Sequence, residues 1–411
     1  MSRTKKSDLE VLADKTKDSI DGAVKTIGDM KNGAKVVNPI KVDASKRSAV
    51  INALKAVQKT FGERSAFFGN DNKTLDIGSC PTGSMSLNVA IGVGGFPKGR
   101  ITEVFGAEGS GKTLVTLTAI SECQKTGGQA VFIDMEHALS KEWCKALGVD
   151  FDTLIVCQPE SGEEALQIME KFIDTNSVDI IILDSVAAMV TKAEIEGEMG
   201  DQHMAQLARL MSVGLKKLTP KVSRTNIACI FINQMRANIG AYGNPEITPG
   251  GKALKYFASL RLRVGKVSQS DKKGANGEKI GHRMKVSVIK NKVAAPFKEA
   301  EFDLYYLKGI DKNSEVSTLA TQKGIVARPN NRKYEYGKYV WTSKAEYEEA
   351  LNNDGELLNE IMLKTIEAIS NNAPDVEVGA SKVEVINGAL VNLETGEVLD
   401  SEAEQDGEVK E

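Results

Sequence analysis

From about residue 75 to residue 310 the chain alternates short, nearly unbroken apolar runs with longer stretches whose apolar residues recur at helical spacing. The runs at 101–105, 130–134, 153–156, 180–184, 227–233, 259–264 and 285–290 have the length of strands. The middle ones lack the polar alternation of a half-exposed sheet, so both of their faces are covered. Buried strands separated by helices predict an α/β domain around a mostly parallel sheet. Upstream, Ala49, Val50, Ala53, Leu54, Val57 and Phe61 form one stripe closed by Gly62, which predicts a lone amphipathic helix over 45–61. Beyond Gly309 come short polar pieces dotted with aromatics, then a helix over about 357–371 and a turn at Asn372-Ala-Pro374. The run from Asn331 to Trp341 interleaves cations and aromatics and reads as a β-hairpin turning at Gly337. Five segments follow: a polar, flexible extension (1–42), an oligomerisation helix with its linker (43–74), the core (75–309), a small α+β domain (310–375) and an acidic tail expected to be disordered (376–411).

One loop gives this pattern its chemistry. Gly106-Ala-Glu-Gly-Ser-Gly-Lys-Thr113 fits G-x-x-x-x-G-K-[ST], with an alternating strand before it and a helical pattern over 113–124 after it. A glycine-rich turn opening a helix offers backbone N–H groups to phosphate oxygens, so Gly106, Glu108, Gly109, Ser110, Gly111, Lys112, Thr113 and Leu114 are the expected nucleotide cradle. Lys112 supplies a cation to the β- and γ-phosphates, and Thr113 a hydroxyl for Mg²⁺. The apolar strand 180–184 ends in Asp184, placed to hold the Mg²⁺ shell beside Thr113. The strand 130–134 leads to Glu136, chosen over Asp134 as the carboxylate that orients and deprotonates the attacking water because it lies nearer the open end. The strand 227–233 leads to Gln234, whose amide can report a γ-phosphate to the glycine-rich stretch behind it; a merely polar strand end stands equally well.

Composition narrows the setting. The 411 residues are 41% hydrophobic and 27% charged, with a net charge of −3, so no global basic field announces a nucleic acid. Five scattered cysteines without C-x-x-C spacing argue against a disulfide framework or zinc site and suit a reducing cytoplasm. The first residues lack the apolar stretch of a signal peptide, and the apolar run near 180–190 is broken by Asp184, so no membrane partner is expected.

Six blocks together resemble the bacterial RecA recombinase family. They are Ser79-Cys-Pro-Thr-Gly-Ser-Met-Ser-Leu87, the loop at 106–113, Phe132-Ile-Asp-Met-Glu-His-Ala-Leu139, Ala193-Glu-Ile-Glu-Gly-Glu-Met-Gly-Asp201, Phe231-Ile-Asn-Gln-Met-Arg236 and Val288-Ile-Lys-Asn-Lys-Val-Ala-Ala-Pro-Phe-Lys298. They run in family order over about 45–309, with a weaker echo to about 371. The resemblance implies a RecA-type P-loop ATPase core with an N-terminal polymerisation helix. It implies a DNA-dependent ATPase that uses ATP and Mg²⁺, forms helical filaments of itself on single-stranded DNA and exchanges strands with homologous double-stranded DNA. Such a protein works in the cytoplasm of a bacterium or of a phage-infected host, with LexA-type repressors and loading mediators as further partners.

Residue by residue, the resemblance makes Glu136 the catalytic glutamate and Gln234 the switch. Lys290 and Lys292 become cations that a neighbouring subunit inserts toward the γ-phosphate. Trp143 stands where the family stacks a tyrosine on adenine, and Tyr306 matches a second aromatic near the base. The segments 196–204 and 235–250 look like the two DNA-binding loops, with Ile239 as the aliphatic wedge between base triplets. Arg209 and Lys216 stand seven apart on the helix after the first loop, a spacing able to track a phosphate backbone, although Lys217, Lys221 and Arg224 lie nearby. The residues expected to meet DNA are Met204, Arg209, Ser212, Lys216, Arg236, Ile239, Gly250 and Gly251. Ser140 departs from the family, which has an aspartate near the adenine edge. Two rivals stay open: a hexameric helicase of the same core fold, and a filament that only coats DNA.

Overall fold

The computed structural model describes residues 44–68, 77–198, 205–237, 246–274, 276–370, 383–386 and 389–392. The predicted extension 1–42, Met204, Ile239 and the tail beyond 392 lie outside these residues. The chain divides into two compact units, Met1–Leu75 and Asp76–Glu411.

The first unit presents helix α1 (Ala44–Phe61), as the apolar stripe predicts. Gly62 stops it: at φ 92° its N–H still reaches the carbonyl of Gln58, 2.8 Å away, a turn of hand that side chains resist. Val50, Val57 and Phe61 are exposed, Phe61 by 74%.

The second unit opens with β1 (Ser79–Cys80), α2 (Met85–Ile91) and β2 (Phe96–Pro97), whose two short strands pair antiparallel. Then strands and helices alternate: β3 (Arg100–Gly106), α3 (Lys112–Lys125), β4 (Ala130–Asp134), α4 (Lys141–Ala146), β5 (Ile155–Cys157), α5 (Gly162–Thr175), β6 (Ile180–Asp184), α6 (Lys192–Glu196), α7 (Gln206–Val222) and β7 (Ala228–Gln234). A small antiparallel pair, β8 (Arg236–Ala237) and β9 (Glu246–Ile247), precedes α8 (Ala253–Phe257). The series ends in β10 (Leu260–Lys273), β11 (Lys279–Asn291), β12 (Glu299–Tyr305) and β13 (Gly309–Ile310).

The main sheet has nine strands in the order β13-β12-β11-β10-β3-β7-β6-β4-β5. From β10 to β5 every pairing is parallel. Side chains alternate between two cores, as the pleat demands. Val104, Phe132, Ile182 and Ile230 pack with Leu117 and Ile120 of α3, whereas Ile101, Ile133, Leu183 and Phe231 pack with Met169 of α5 and Met211 of α7. The carboxyl ends of β3, β4, β6 and β7 therefore open at one edge, between helices on both faces.

The other half of the sheet is antiparallel, the minority part of the mostly parallel sheet expected. β10 and β11 run well beyond the predicted 259–264 and 285–290 and pair antiparallel as a long ribbon, and β12 and β13 extend it. β12 has no apolar run because Glu299 and Glu301 face solvent while Ala300, Phe302 and Leu304 are buried. In the C-terminal part, α9 (Lys312–Gln322), β14 (Ala327–Asn330), β15 (Lys333–Tyr336), β16 (Tyr339–Trp341), α10 (Lys344–Asn353) and α11 (Gly355–Ser370) enclose Val316, Tyr334, Trp341, Tyr347 and Ile361. The hairpin turns at Gly337 with Tyr334 and Trp341 beneath it, as the sequence predicts. A last hairpin pairs β17 (Val383–Ile386) with β18 (Ala389–Asn392).

Candidate active site

The loop between β3 and α3 folds as its glycines require. Gly111 takes φ 91°, a conformation that strains any side chain, and a Cβ there would also press on the Met284 methyl of β11 at 2.4 Å. Lys112 is 93% buried at the first turn of α3, and its Nζ donates to the carbonyl of Ala107 at 2.8 Å, inside its own loop. Burial holds its ammonium below the ordinary lysine range, against the opposing pull of Asp184, Glu136 and Glu108. The Ser110 hydroxyl is buried and unpartnered, an orphan that a phosphate oxygen would satisfy. Glu108 and Gly109 face solvent, whereas the Leu114 side chain is buried in the core, which leaves only its backbone for a nucleotide.

Thr113 Oγ1 donates to Asp184 Oδ2 at 2.6 Å, joining the loop to the end of β6. Desolvation pushes the Asp184 carboxyl up to about 6, with the Thr113 hydrogen bond opposing. A buried carboxylate beside a threonine hydroxyl is a pair of oxygen donors that fits Mg²⁺.

Glu136 stands exposed just past β4, and its Oε1 accepts from Ser185 Oγ at 2.6 Å and from Gln234 Nε2 at 2.9 Å. Three strand ends thereby meet on one carboxylate oxygen. Asp134 is committed elsewhere: it accepts the backbone N–H groups of Glu136, Ala138 and Leu139 and so shapes the turn that presents Glu136. Sequence reasoning missed Ser185, which ends up beside Glu136 because β4 and β6 are neighbours in register. It also missed Glu103, fully buried in β3, which pairs with Arg261 Nε at 2.6 Å and accepts from Asn233 Nδ2 at 3.2 Å. Asn233 in turn donates to the carbonyl of Pro249 and ties β7 to the end of the following loop. A charge inside an apolar strand was the available signal for Glu103.

Trp143 Nε1 donates to the carbonyl of Tyr306 at 3.0 Å. The two aromatics named from sequence thus share one place, with the Trp143 ring half-buried and the Tyr306 ring exposed. Ser140 caps α4 by accepting the N–H of Trp143 at 3.2 Å, which fixes that ring's backbone. Next to Tyr306 lies His282, 98% buried, with rings 5.8 Å apart and neither imidazole nitrogen partnered.

The remaining residues named from sequence separate into groups. Arg209, Ser212 and Lys216 all stand exposed along one face of α7. Lys217 and Lys221 do not join them, since they pair with Glu170 and Asp174 of α5 at 2.7–2.8 Å. Arg236 is exposed in β8. Gly250 and Gly251 lie against α7: added Cβ atoms would meet Val186, Met211 and Ala208 within 2.8–3.3 Å. Lys290 Nζ donates to the carbonyls of Lys255 and Tyr256 at the end of α8, and Lys292 is exposed. Neither reaches the phosphate loop of its own chain by any hydrogen bond among the described residues.

Residues 48–311 match the sequence model of the RecA N-terminal domain. The chain is 46% identical over 368 residues to Protein RecA of Ruminococcus albus, covering 88% of this chain and 92% of that one. It is also 46% identical over 328 residues to Protein RecA of Thermus aquaticus, covering 79% and 96%. Protein RecA of Aquifex pyrophilus is 46% identical over 336 residues, covering 81% and 95%.

Proposed function

The chain belongs to the RecA family, and from that premise we propose how its residues divide the work of the activity. It is a DNA-dependent ATPase that forms filaments on single-stranded DNA and catalyses homologous pairing and strand exchange in recombination and repair. The observation that carries the division is the convergence of Ser185 and Gln234 on Glu136 beside the loop that holds Lys112 and Thr113.

Glu136 orients the attacking water and takes its proton, with Ser185 and Gln234 fixing the carboxylate until substrate arrives. Lys112 leaves its resting bond to Ala107 and turns to the β- and γ-phosphates, where the charge of the transition state develops. Thr113 and Asp184 would hold a Mg²⁺, whose charge would offset that of the phosphate oxygens. Gln234 exchanges Glu136 for the γ-phosphate, and because β8 follows two residues on, the exchange moves the second DNA loop. Trp143 and Tyr306 receive the base. Lys290 and Lys292 act on a neighbour's phosphates, so turnover requires the filament. Arg209, Ser212, Lys216 and Arg236 meet the DNA backbone, with Met204, Ile239, Gly250 and Gly251 in or beside the two loops. The uncovered stripe of α1 seats on an adjacent subunit, and LexA-type repressors and loading mediators use the assembled surface. Among the described residues no helix is long and apolar enough to cross a membrane.

Strand exchange between a fluorophore-labelled duplex and its homologous single strand, with ATP and Mg²⁺, tests the reading. We expect transfer that depends on homology for the wild type and none for Lys112→Ala. Hydrolysis stimulated by single-stranded DNA but without exchange would instead assign the chain to coating or unwinding.

A further inference from the structure

On the face of the sheet that carries Ile101 and Phe231, a polar row interrupts the apolar packing. Glu103 of β3 is fully buried, and Arg261 of β10 stands next to it in register and donates from Nε to its Oε2 at 2.6 Å. Asn233 of β7, fully buried too, donates from Nδ2 to Glu103 Oε1 at 3.2 Å. The same Nδ2 donates to the Pro249 carbonyl at 3.1 Å, and Asn233 Oδ1 accepts the Gln234 N–H at 3.0 Å. Both N–H groups and the oxygen of this carboxamide are therefore engaged.

Stability alone does not call for such a row. A buried ion pair gains little over apolar residues of the same size, whereas one buried charge left without its partner is strongly destabilising. What sets the row apart is where its ends lie. Gln234 carries the side chain that reaches Glu136, and the next N–H, that of Met235, donates at 3.0 Å to the carbonyl of Gly106, where the phosphate loop begins. Pro249 lies just past β9, which pairs with β8 at the base of the stretch read as the second DNA loop. β3 itself runs straight into the phosphate loop. One carboxamide thus touches the strand under the nucleotide, the residue that reaches Glu136 and the root of the DNA loop.

We propose that Glu103 is a positioning residue that couples the nucleotide site to the DNA loop by holding the Asn233 carboxamide against β3. This coupling rests on the switch role given to Gln234 above. When Gln234 shifts toward a γ-phosphate, its N–H carries Asn233 Oδ1 with it. The carboxamide pivots on Glu103 Oε1, and the Nδ2 bond passes the motion to Pro249. Without an acceptor on β3 the pivot is gone, and Gln234 and Pro249 drift together without reference to the phosphate loop. Arg261 keeps the Glu103 carboxylate charged and in place, with its guanidinium 4.5 Å from the centre of the Phe105 ring.

The test measures, on the full chain, how many-fold a non-hydrolysable ATP analogue tightens a fluorescent oligo-dT strand, and by reciprocity how many-fold the strand tightens the analogue. Two double variants replace the ion pair without leaving a lone charge. Glu103→Gln/Arg261→Met keeps an acceptor for Asn233, because no arginine competes for the amide oxygen, and should hold the coupling factor within about twofold of the wild type. Glu103→Leu/Arg261→Met removes the acceptor and should shrink the factor about tenfold or more in both directions, with the analogue's affinity in the absence of DNA unchanged. Single Glu103→Gln should also lose coupling, since Arg261 takes the amide oxygen and leaves an amide N–H facing the Asn233 donor. If the leucine form does not fold, the single and double glutamine forms decide by the same readout. A role limited to stability would lower melting temperatures and leave the coupling factor as it was in every folded variant, which would overturn the proposal. Gln234→Ala separates the two readings. Coupling lost there but kept in Glu103→Leu/Arg261→Met retires Glu103 and spares the switch. Coupling kept there but lost in the leucine form retires the switch and leaves Glu103 acting through Pro249.

Discussion

Glu136 is exposed, yet it is positioned by donors from two other strand ends, Ser185 after β6 and Gln234 at the end of β7. Glu136→Gln keeps the size and both neighbours but cannot take a proton. Turnover stimulated by single-stranded DNA should fall by about 10²–10⁴-fold, the usual worth of a positioned base. Affinity for a fluorescent ATP analogue, measured by anisotropy, should stay unchanged; a parallel loss of binding would show that the residue holds nucleotide rather than water. His282 tests burial in a different way. Desolvation, then Lys266, lower its pKa from the ordinary value near 6.5, with Asp271 pulling the other way and the Tyr306 ring packed beside it. A depressed histidine favours folding while neutral, so its contribution is whole above about pH 6.5 and is lost as pH falls below it, where the unfolded chain takes up the proton first. Thermal melts below pH 6.5 should therefore decline more steeply for the wild type than for His282→Gln. Parallel curves would mean that the imidazole is solvated.

The first turn of α2 shows how much a short helix depends on a distant residue. Ser84 caps it by accepting the Leu87 N–H, and Glu315 of α9 accepts Ser84 Oγ at 2.5 Å, the Met85 and Ser86 N–H groups at 2.9 Å, and Ser86 Oγ. The carboxyl is 95% buried, and desolvation raises its pKa against those donors. Glu315→Gln leaves donors facing an amide, a cost of about 1–3 kcal/mol. Proteolysis should then release the region after Asp311 before the core is cut; unchanged digestion would mean that the apolar contacts of α9 suffice. None of this was visible along the chain, because Ser84 and Glu315 meet only through the fold. What could be read were the strands buried on both faces, β4 and β6 to the residue, since an apolar run of that length has little else to be. β12 escaped because its outward glutamates broke the run, and the far halves of β10 and β11 escaped because a ribbon rich in lysine and serine resembles a loop.

The whole chain carries a net charge of −3, so binding to a polyanion has to come from local arrangement rather than from a general field. Sequence periodicity found Arg209 and Lys216 on one face of α7, but it found Lys217 and Lys221 as neighbours in the same basic cluster. It could not say which cations were committed. That depends on α5 lying against α7 with Glu170 and Asp174 at the matching height, a register set by β6 and the packing between them. With two lysines neutralised by α5, the exposed line through Arg209, Ser212 and Lys216 is the positive track left on that helix. Counterion release turns this into a measurable count, since each phosphate contact on a single strand contributes about 0.7 to the slope of log K against log salt. Arg209→Ala and Lys216→Ala should each lower that slope by about 0.7 and together by about 1.4, with little dependence on DNA sequence. Lys217→Ala, which removes a cation already paired with Glu170, should leave the slope where it was. An equal effect from Lys217 would mean that DNA breaks the α5–α7 ion pairs, and the binding face would then have to be redrawn across both helices.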